Sequence, residues 1–307
     1  MVEQKTKKPR VKKELVGLVD KLSAKKYHAL KIISKSKLDD LERSPEYFKY
    51  KWDSEEQEST SAMDFGSLFH CLLLTPKDFN KDFAIEPEVN KRTNEGKAIL
   101  EEFLNANKDK IIVTNKDIEN AKILVDKIKT HPIASKLLEG GKRELSMFWE
   151  DEDGLKFKGR LDLLTPQEII VDFKTTTIAK PGEFEKKAYD YGYHKQAFLY
   201  NKGYEKITGK KPRAFVFVAI EKEAPYSVCV YMADDLFLKV GEIEIENLIH
   251  TYKTCIRTNN WYGYNGADPS IVMLGIPNYI ENKYIKDGVI EWVHNKHIGK
   301  LGLTRIT

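Results

Sequence analysis

Gly159-Arg160-Leu161-Asp162-Leu163-Leu164-Thr165-Pro166-Gln167-Glu168-Ile169-Ile170-Val171-Asp172-Phe173-Lys174-Thr175 is the stretch whose reading decides the fold. Two short apolar runs flank Thr165-Pro166-Gln167, a composition that predicts two strands joined by a turn. A hairpin centred near Gln167 makes Asp162 and Asp172 cross-strand neighbours, because both lie equally far from that centre. Directly opposed side chains have Cβ atoms roughly 4.5–5.5 Å apart. Two carboxylates at that spacing destabilise a sheet unless a cation sits between them. Asp172 and Lys174, two residues apart on a strand, share one face. The pattern therefore predicts a hard cation, Mg²⁺ with Mn²⁺ able to substitute, and an ammonium beside it. Such a lysine can orient an attacking water and offset charge developing on a phosphoryl group.

Spacing alone leaves an alternative open. Glu3-Gln4-Lys5, Glu185-Lys186-Lys187 and Glu281-Asn282-Lys283 repeat the acidic-x-Lys triplet. Only the triplet at 172 follows a β-branched run and faces a second Asp across a turn. The competing reading is a surface hairpin with an ordinary Asp–Lys pair, which adds little to stability.

Outward from the hairpin, three strands are expected at Glu144–Trp149, Leu155–Leu163 and Glu168–Lys174. A helix from about His194 to Thr208 follows, then strands Ala214–Ile220 and Ser227–Tyr231. A long amphipathic helix from Asp234 to about Thr258 comes next. Upstream the pattern is helical. Ser34 and Ser36 are cap candidates before Leu38, Leu41 and Tyr47, and Pro45 divides that segment in two. Further helices are expected at Ala62–Leu74, around Ile99, Leu100, Phe103 and Leu104, and at Asp117–Thr130, which stops before His131-Pro132. The fold class is α/β (α+β): a mixed sheet flanked by helices, with a helical part at 27–140 and a core at 141–264 forming one integrated domain. Residues 1–26 read as a flexible basic arm, and 265–307 as a C-terminal extension with no pattern to organise it.

Composition sets wide bounds. The 307 residues are 41% hydrophobic and 32% charged, as in an ordinary soluble globular protein. No apolar run is long enough to span a membrane. The formal charge of +4 neither announces a nucleic-acid partner nor forbids one. Scattered Cys71, Cys229 and Cys255 argue for a reducing cytoplasm and against a disulfide framework or a four-cysteine iron–sulfur site.

Other residues are ambiguous by themselves. His70, in the apolar run Phe65 to Leu74, is either a hydrogen-bonded core histidine or a third metal ligand. Gly66, one turn earlier, permits close approach of another backbone or a substrate. Gln196 and Tyr200 share a helix face, which without other signals is an ordinary polar surface. The basic run Lys5, Lys7, Lys8, Arg10, Lys12 and Lys13 is either a solvated tail or a DNA-contacting arm.

Taken together, these residues resemble the PD-(D/E)xK nuclease superfamily, in particular its branch of RecE-like phage and prophage exonucleases (exodeoxyribonuclease VIII-like). The likeness runs in order from about Tyr27 to Tyr264. Ser34 to Pro45 resembles the branch's entry helix, and Gly66 to His70 a Gly-x-x-x-His element. Lys91 to Lys97 is similar to a basic segment of the branch. Gly159-Arg-Leu-Asp162 and Asp172-Phe-Lys174 match the two core motifs, and Gln196-Ala-Phe-Leu-Tyr200 the Gln-x-x-x-Tyr motif. There are departures. Leu161 stands where the superfamily name has proline, and Asp172 replaces the commoner Glu. Ser44 stands where iron–sulfur relatives carry a cysteine. No Gly-x-x-x-x-Gly-Lys-Ser/Thr loop is present, so no ATP chemistry is expected.

The resemblance implies metal ligation by His70, Asp162, Asp172 and the main-chain carbonyl of Phe173, around one or two Mg²⁺ ions. It implies Lys174 positioning a water, Gln196 supporting Lys174 or the scissile phosphate, and Tyr200 packing behind. Glu144 is a weaker candidate for a further ligand. Ser34, Ser36, Lys37 and Arg160 are candidates for contacts to a 5′ phosphate or the backbone, and Lys91, Arg92 and Lys97 for lining a channel. The implied activity is processive 5′→3′ digestion of linear double-stranded DNA, leaving 3′ single strands for a RecT-like annealing protein, by a homo-oligomeric ring. Two competitors remain: an endonuclease of the same fold with a restriction, repair or CRISPR role, and a non-cutting recombination scaffold.

Overall fold

The computed structural model describes residues 16–54, 60–277 and 279–280. In chain order it contains β1 (Gly17–Val19), α1 (Ala24–Ala29), α2 (Lys35–Arg43), α3 (Pro45–Asp53) and α4 (Ser61–Leu74). The single turn α5 (Phe79–Asp82), β2 (Phe83–Ile85), α6 (Asn94–Ala106), β3 (Ile111–Val113), α7 (Asn115–Thr130) and the single turn α8 (Ala134–Leu137) follow. The core then runs β4 (Lys142–Glu150), β5 (Lys156–Leu164), β6 (Ile169–Thr176), α9 (Glu183–Asp190), α10 (Tyr193–Thr208), β7 (Ala214–Glu221), β8 (Val228–Met232) and α11 (Asp235–Thr258).

Six strands form one sheet in the order β1-β4-β5-β6-β7-β8, antiparallel at every junction except the parallel β6/β7 pair. A parallel pair needs a crossover, which α9 and α10 supply. Strand alternation gives the sheet two apolar faces. Ile170, Phe215 and Phe217 bury on the side of α10 and α11. Val171, Phe173, Val216 and Val218 bury on the other, against Phe69 of α4 and Leu124 and Ile128 of α7. Each such side chain contributes about 1.5–3 kcal/mol on burial. That shared layer fixes α4, and with it His70, against β5 and β6.

Local signals explain the helix ends. The Thr114 hydroxyl and Asp117 carboxylate form a capping box at the start of α7. Ser44 is buried, and its hydroxyl accepts from Tyr47 N–H at 3.0 Å to cap α3, with Pro45 at the first helical position. The chain therefore does divide at Pro45. Gly241 lets α11 cross α10 closely: a Cβ there would lie 2.2 Å from the His194 carbonyl oxygen. Because the obstacle is backbone, Gly241→Ala is expected to lower unfolding free energy by about 1–3 kcal/mol. Urea melts check this, and an unchanged midpoint would contradict the packing.

Several elements depart from expectation. β1 falls inside the expected arm at 1–26, where three apolar residues pair with Ser146 to Phe148 of β4. Lys158 secures the following segment. It is buried, its ammonium donates to the carbonyls of Tyr27 (2.8 Å) and Leu30 (2.7 Å), and it lies over the Tyr27 ring. β1 and the start of α1 thus belong to the folded part. The arm's basic cluster, Lys5 to Lys13, and residues 281–307 of the expected extension lie outside the described residues. The short β2/β3 pair and α9 also emerge without a sequence expectation. No helix among the described residues is long and apolar enough to cross a membrane.

Candidate active site

The site forms where the β5 ladder opens on both edges. Towards β4, Arg143 pairs with Leu163 and Leu145 with Leu161, while Glu144 and Asp162 between them fall outside the register. Glu144 has φ +52°, the left-handed region that a side chain with a Cβ occupies at a cost. The break resets the alternation: Leu161 buries towards α10, yet Leu163 buries towards α4. Towards β6, Leu163 pairs with Val171 and Leu164 with Ile170, a register centred on Gln167 as expected. Beyond it the strands part at Asp162 and Asp172, and the Phe173 N–H donates to Asp162 Oδ2 at 2.8 Å.

Two linked groups fill the opening. His70 Nδ1 from α4 lies 3.4 Å from Asp162 Oδ2, and one ligand atom each from His70, Glu144 and Asp162 falls within a 4.8 Å span. Beside them, Lys174 Nζ is 2.7 Å from Asp172 Oδ2 and donates to Gln196 Oε1 at 3.0 Å. The Gln196 amide in turn donates to Asp172 Oδ1 at 2.5 Å. The three side chains close a triangle from β6 to α10. Tyr200, one turn along, packs on Gly159, where a Cβ would be 3.1 Å from its ring. A larger residue in the Gly-Arg-Leu-Asp motif would displace it.

The family model of a "PDDEXK-like domain of unknown function" matches residues 34–268. The chain belongs to this family. The PDDEXK-like fold is also seen in a solved structure from Eubacterium rectale, described as a candidate exonuclease. It is 16% identical, covers 85% of this chain and 98% of its own, and superposes with TM-score 0.55. An alkaline exonuclease from Laribacter hongkongensis, 13% identical over 76% of this chain and 93% of its own, superposes with TM-score 0.26. The search of curated proteins finds no match.

Within this PDDEXK-like domain, the charged groups of the site shift one another's protonation. Burial acts to raise the Asp162 carboxyl, but His70, then Lys174 and the Phe173 N–H, hold it below the usual range. Burial and the Asp162 charge push Asp172 up, against the pull of Lys174. Glu144 is raised by burial and by Asp162, against Arg160, whose Nε is 2.6 Å from Glu144 Oε2. Lys174, despite burial, is held protonated by Asp172, Tyr193 and Asp162, so at neutral pH it is an ammonium and no general base. Burial acts to lower His70, but Asp162, Glu144 and Asp172 carry it up to about 9. Three carboxylates that raise or depend on one another's charge, with an imidazole among them, are a donor set suited to a divalent cation.

A pH dependence follows. The folded-state pKa of His70 is raised above 6.5, so its contribution to metal-free stability is full below that value and is lost as pH rises through about 9. A metal ion ligated by His70 would have to displace the same proton. Mn²⁺ affinity is therefore expected to climb by up to about tenfold per pH unit towards 9 and then flatten. Calorimetric titration across pH checks it, and in His70→Ala the slope should shrink.

The expected residues fall in three groups. His70, Asp162, Asp172, Lys174, Gln196 and Tyr200 converge, and Glu144, given less weight in the sequence, sits among the ligand atoms. Gly66 faces open space, so no other backbone needs the missing Cβ there. The DNA candidates differ in how free their side chains are. Ser34 is buried with its hydroxyl 3.0 Å from that of Ser36, Lys37 pairs with Asp40, and Lys91 with Glu86. Arg92 and Lys97 are exposed. Arg160 turns inward to Glu144 and donates to the Leu22 carbonyl at 3.0 Å.

Two residues that sequence reasoning missed adjoin the site. The Lys174 ammonium lies 4.6 Å from the centre of the Tyr193 ring. Lys35 donates to the Tyr191 carbonyl at 2.7 Å and lies close enough to Lys174 for the two charges to repel. Lys35 stands between two nominated serines. Its proximity to Lys174 arises only from the packing of α2 on α10.

Proposed function

We propose that this domain is a Mg²⁺-dependent deoxyribonuclease that digests linear duplex DNA from its ends. The observation that carries the reading is the half-buried cluster of His70, Glu144 and Asp162, with Asp172 alongside paired to a lysine held in its charged form. Those four side chains, with the Phe173 carbonyl, would hold the metal, for which Mn²⁺ would substitute. When bound, the ion supplies a water of lowered pKa and offsets charge on the phosphoryl oxygens.

The remaining work falls to the chain. Lys174, an ammonium on the same strand face as Asp172, holds the attacking water or a phosphate oxygen by hydrogen bonding. Gln196 bonds both partners of that pair and so fixes their rotamers. Tyr200 keeps α10 seated on β5. Ser36, Arg92 and Lys97 would contact DNA phosphates, with Lys37, Lys91 and Arg160 available only if they exchange their present carboxylate partners, and Ser34 only through Ser36, since it is buried.

By resemblance to RecE-like enzymes, digestion would run processively 5′→3′ in the cytoplasm of a bacterial or phage-infected cell. It would leave 3′ overhangs for an annealing protein, with a ring of subunits enclosing the duplex. The test is an end-labelled linear duplex, with 5′-phosphate and 5′-hydroxyl ends compared, beside a covalently closed circle. End-dependent digestion that spares the circle is expected. Cleavage of the circle favours the endonuclease, and tight binding without cleavage favours the scaffold.

A further inference from the structure

Next to Lys174 an aromatic ladder runs out to solvent. Tyr193 stacks on buried Phe217, with ring centres 5.7 Å apart and planes 23° apart, and its ring carries the Lys174 ammonium. Tyr191 continues the stack, 5.9 Å from Tyr193 at 29°, yet 61% of its surface is open. Its ring is no farther from Lys174 than those last two steps laid end to end. The backbone presenting it is pinned. The Tyr191 N–H donates to the Lys187 carbonyl at 2.9 Å and the Tyr191 carbonyl accepts from Lys35 at 2.7 Å. The next residue, Gly192, takes the left-handed conformation, and a Cβ there would meet Lys195 at 2.6 Å. Tyr191 is thus a large ring on a pinned backbone, stacked on Tyr193 and mostly open to solvent.

We propose that the open face of Tyr191 is a nucleobase-stacking site, taking an unpaired base of the strand whose phosphate lies at Lys174. This rests on the nuclease reading above. A base is tied to its phosphate through a single sugar, so a strand held at Lys174 brings a base within reach of this ring. Stacking is indifferent to sequence because every base has a π face. Lys35, paired with Asp39 at 2.8 Å, anchors this turn through the Tyr191 carbonyl. The stack would take up the terminal base as it leaves its partner, which favours opening of the duplex end at the site.

The experiment uses full-length protein and a short duplex with 2-aminopurine as the base next to the cleavable phosphate. In EDTA, binding to wild type should quench the fluorescence. Tyr191→Ala should abolish the quench and weaken binding of single strands by about five- to tenfold, with Tyr191→Phe like wild type. With Mg²⁺, Tyr191→Ala should lose a similar factor in kcat/KM on normal DNA. It should lose nothing on a duplex with an abasic nucleotide at that position. Equal quenching by wild type and Tyr191→Ala, or an equal loss on abasic and normal DNA, would overturn the stacking site. If wild type quenches but never cleaves with Mg²⁺, the nuclease reading fails while the base site stands.

Discussion

Asp172→Asn and Lys174→Ala are each expected to cut Mg²⁺-dependent release of acid-soluble nucleotides from linear duplex DNA by about two to three orders of magnitude or more. The two residues form one unit: carboxylate and ammonium are 2.7 Å apart, and Gln196 bridges them. Their losses should therefore not add. The double variant is expected to be about as slow as the worse single one. Stability separates chemistry from collapse. Removing Lys174 leaves Asp172 buried beside Asp162 without its cation, a change that costs about 3–5 kcal/mol for a buried pair. Metal should recover part of that in Lys174→Ala by neutralising the same carboxylates. Rates near wild type in both single variants, with intact melting curves, would remove the proposed chemistry.

The second large effect concerns Asp162. Its Oδ2 accepts from the Phe173 N–H and faces His70, so it joins β5, β6 and α4 at one atom. Asp162→Ala is expected to abolish specific Mn²⁺ binding. For wild type, Mn²⁺ at a hundredfold excess over its Kd should stabilise the fold by about 2.7 kcal/mol. Differential scanning calorimetry would show that as a rise in Tm with added Mn²⁺, absent in Asp162→Ala. A rise of the same size in the variant would place the ion elsewhere.

The hairpin was legible because its signals are local. A turn tripeptide between β-branched runs sets the register, and the register sets which side chains oppose one another. The observed pairs Leu163–Val171 and Leu164–Ile170 follow from that alone. The weight of Glu144 was hidden, since its role depends on a left-handed backbone at a residue type that rarely adopts one. β1 was hidden because three apolar residues carry no period, and only the edge of β4 makes them a strand. Ser44 illustrates the reverse. Its departure from cysteine could be read, but its work as the cap of α3 required the packed structure. Tyr193 and Lys35 reach the site through helix packing, a relation between distant parts of the chain that spacing does not encode.

The central claim is that His70, Glu144, Asp162 and Asp172 together grip a divalent cation. Crystals grown with saturating Mn²⁺, measured near the manganese absorption edge, test it most directly. The account predicts an anomalous peak bounded by those four side chains, with the His70–Asp162 contact replaced by bonds to the ion. A map with no peak there, and with the His70–Asp162 and Lys174–Asp172 pairs unchanged, would contradict it.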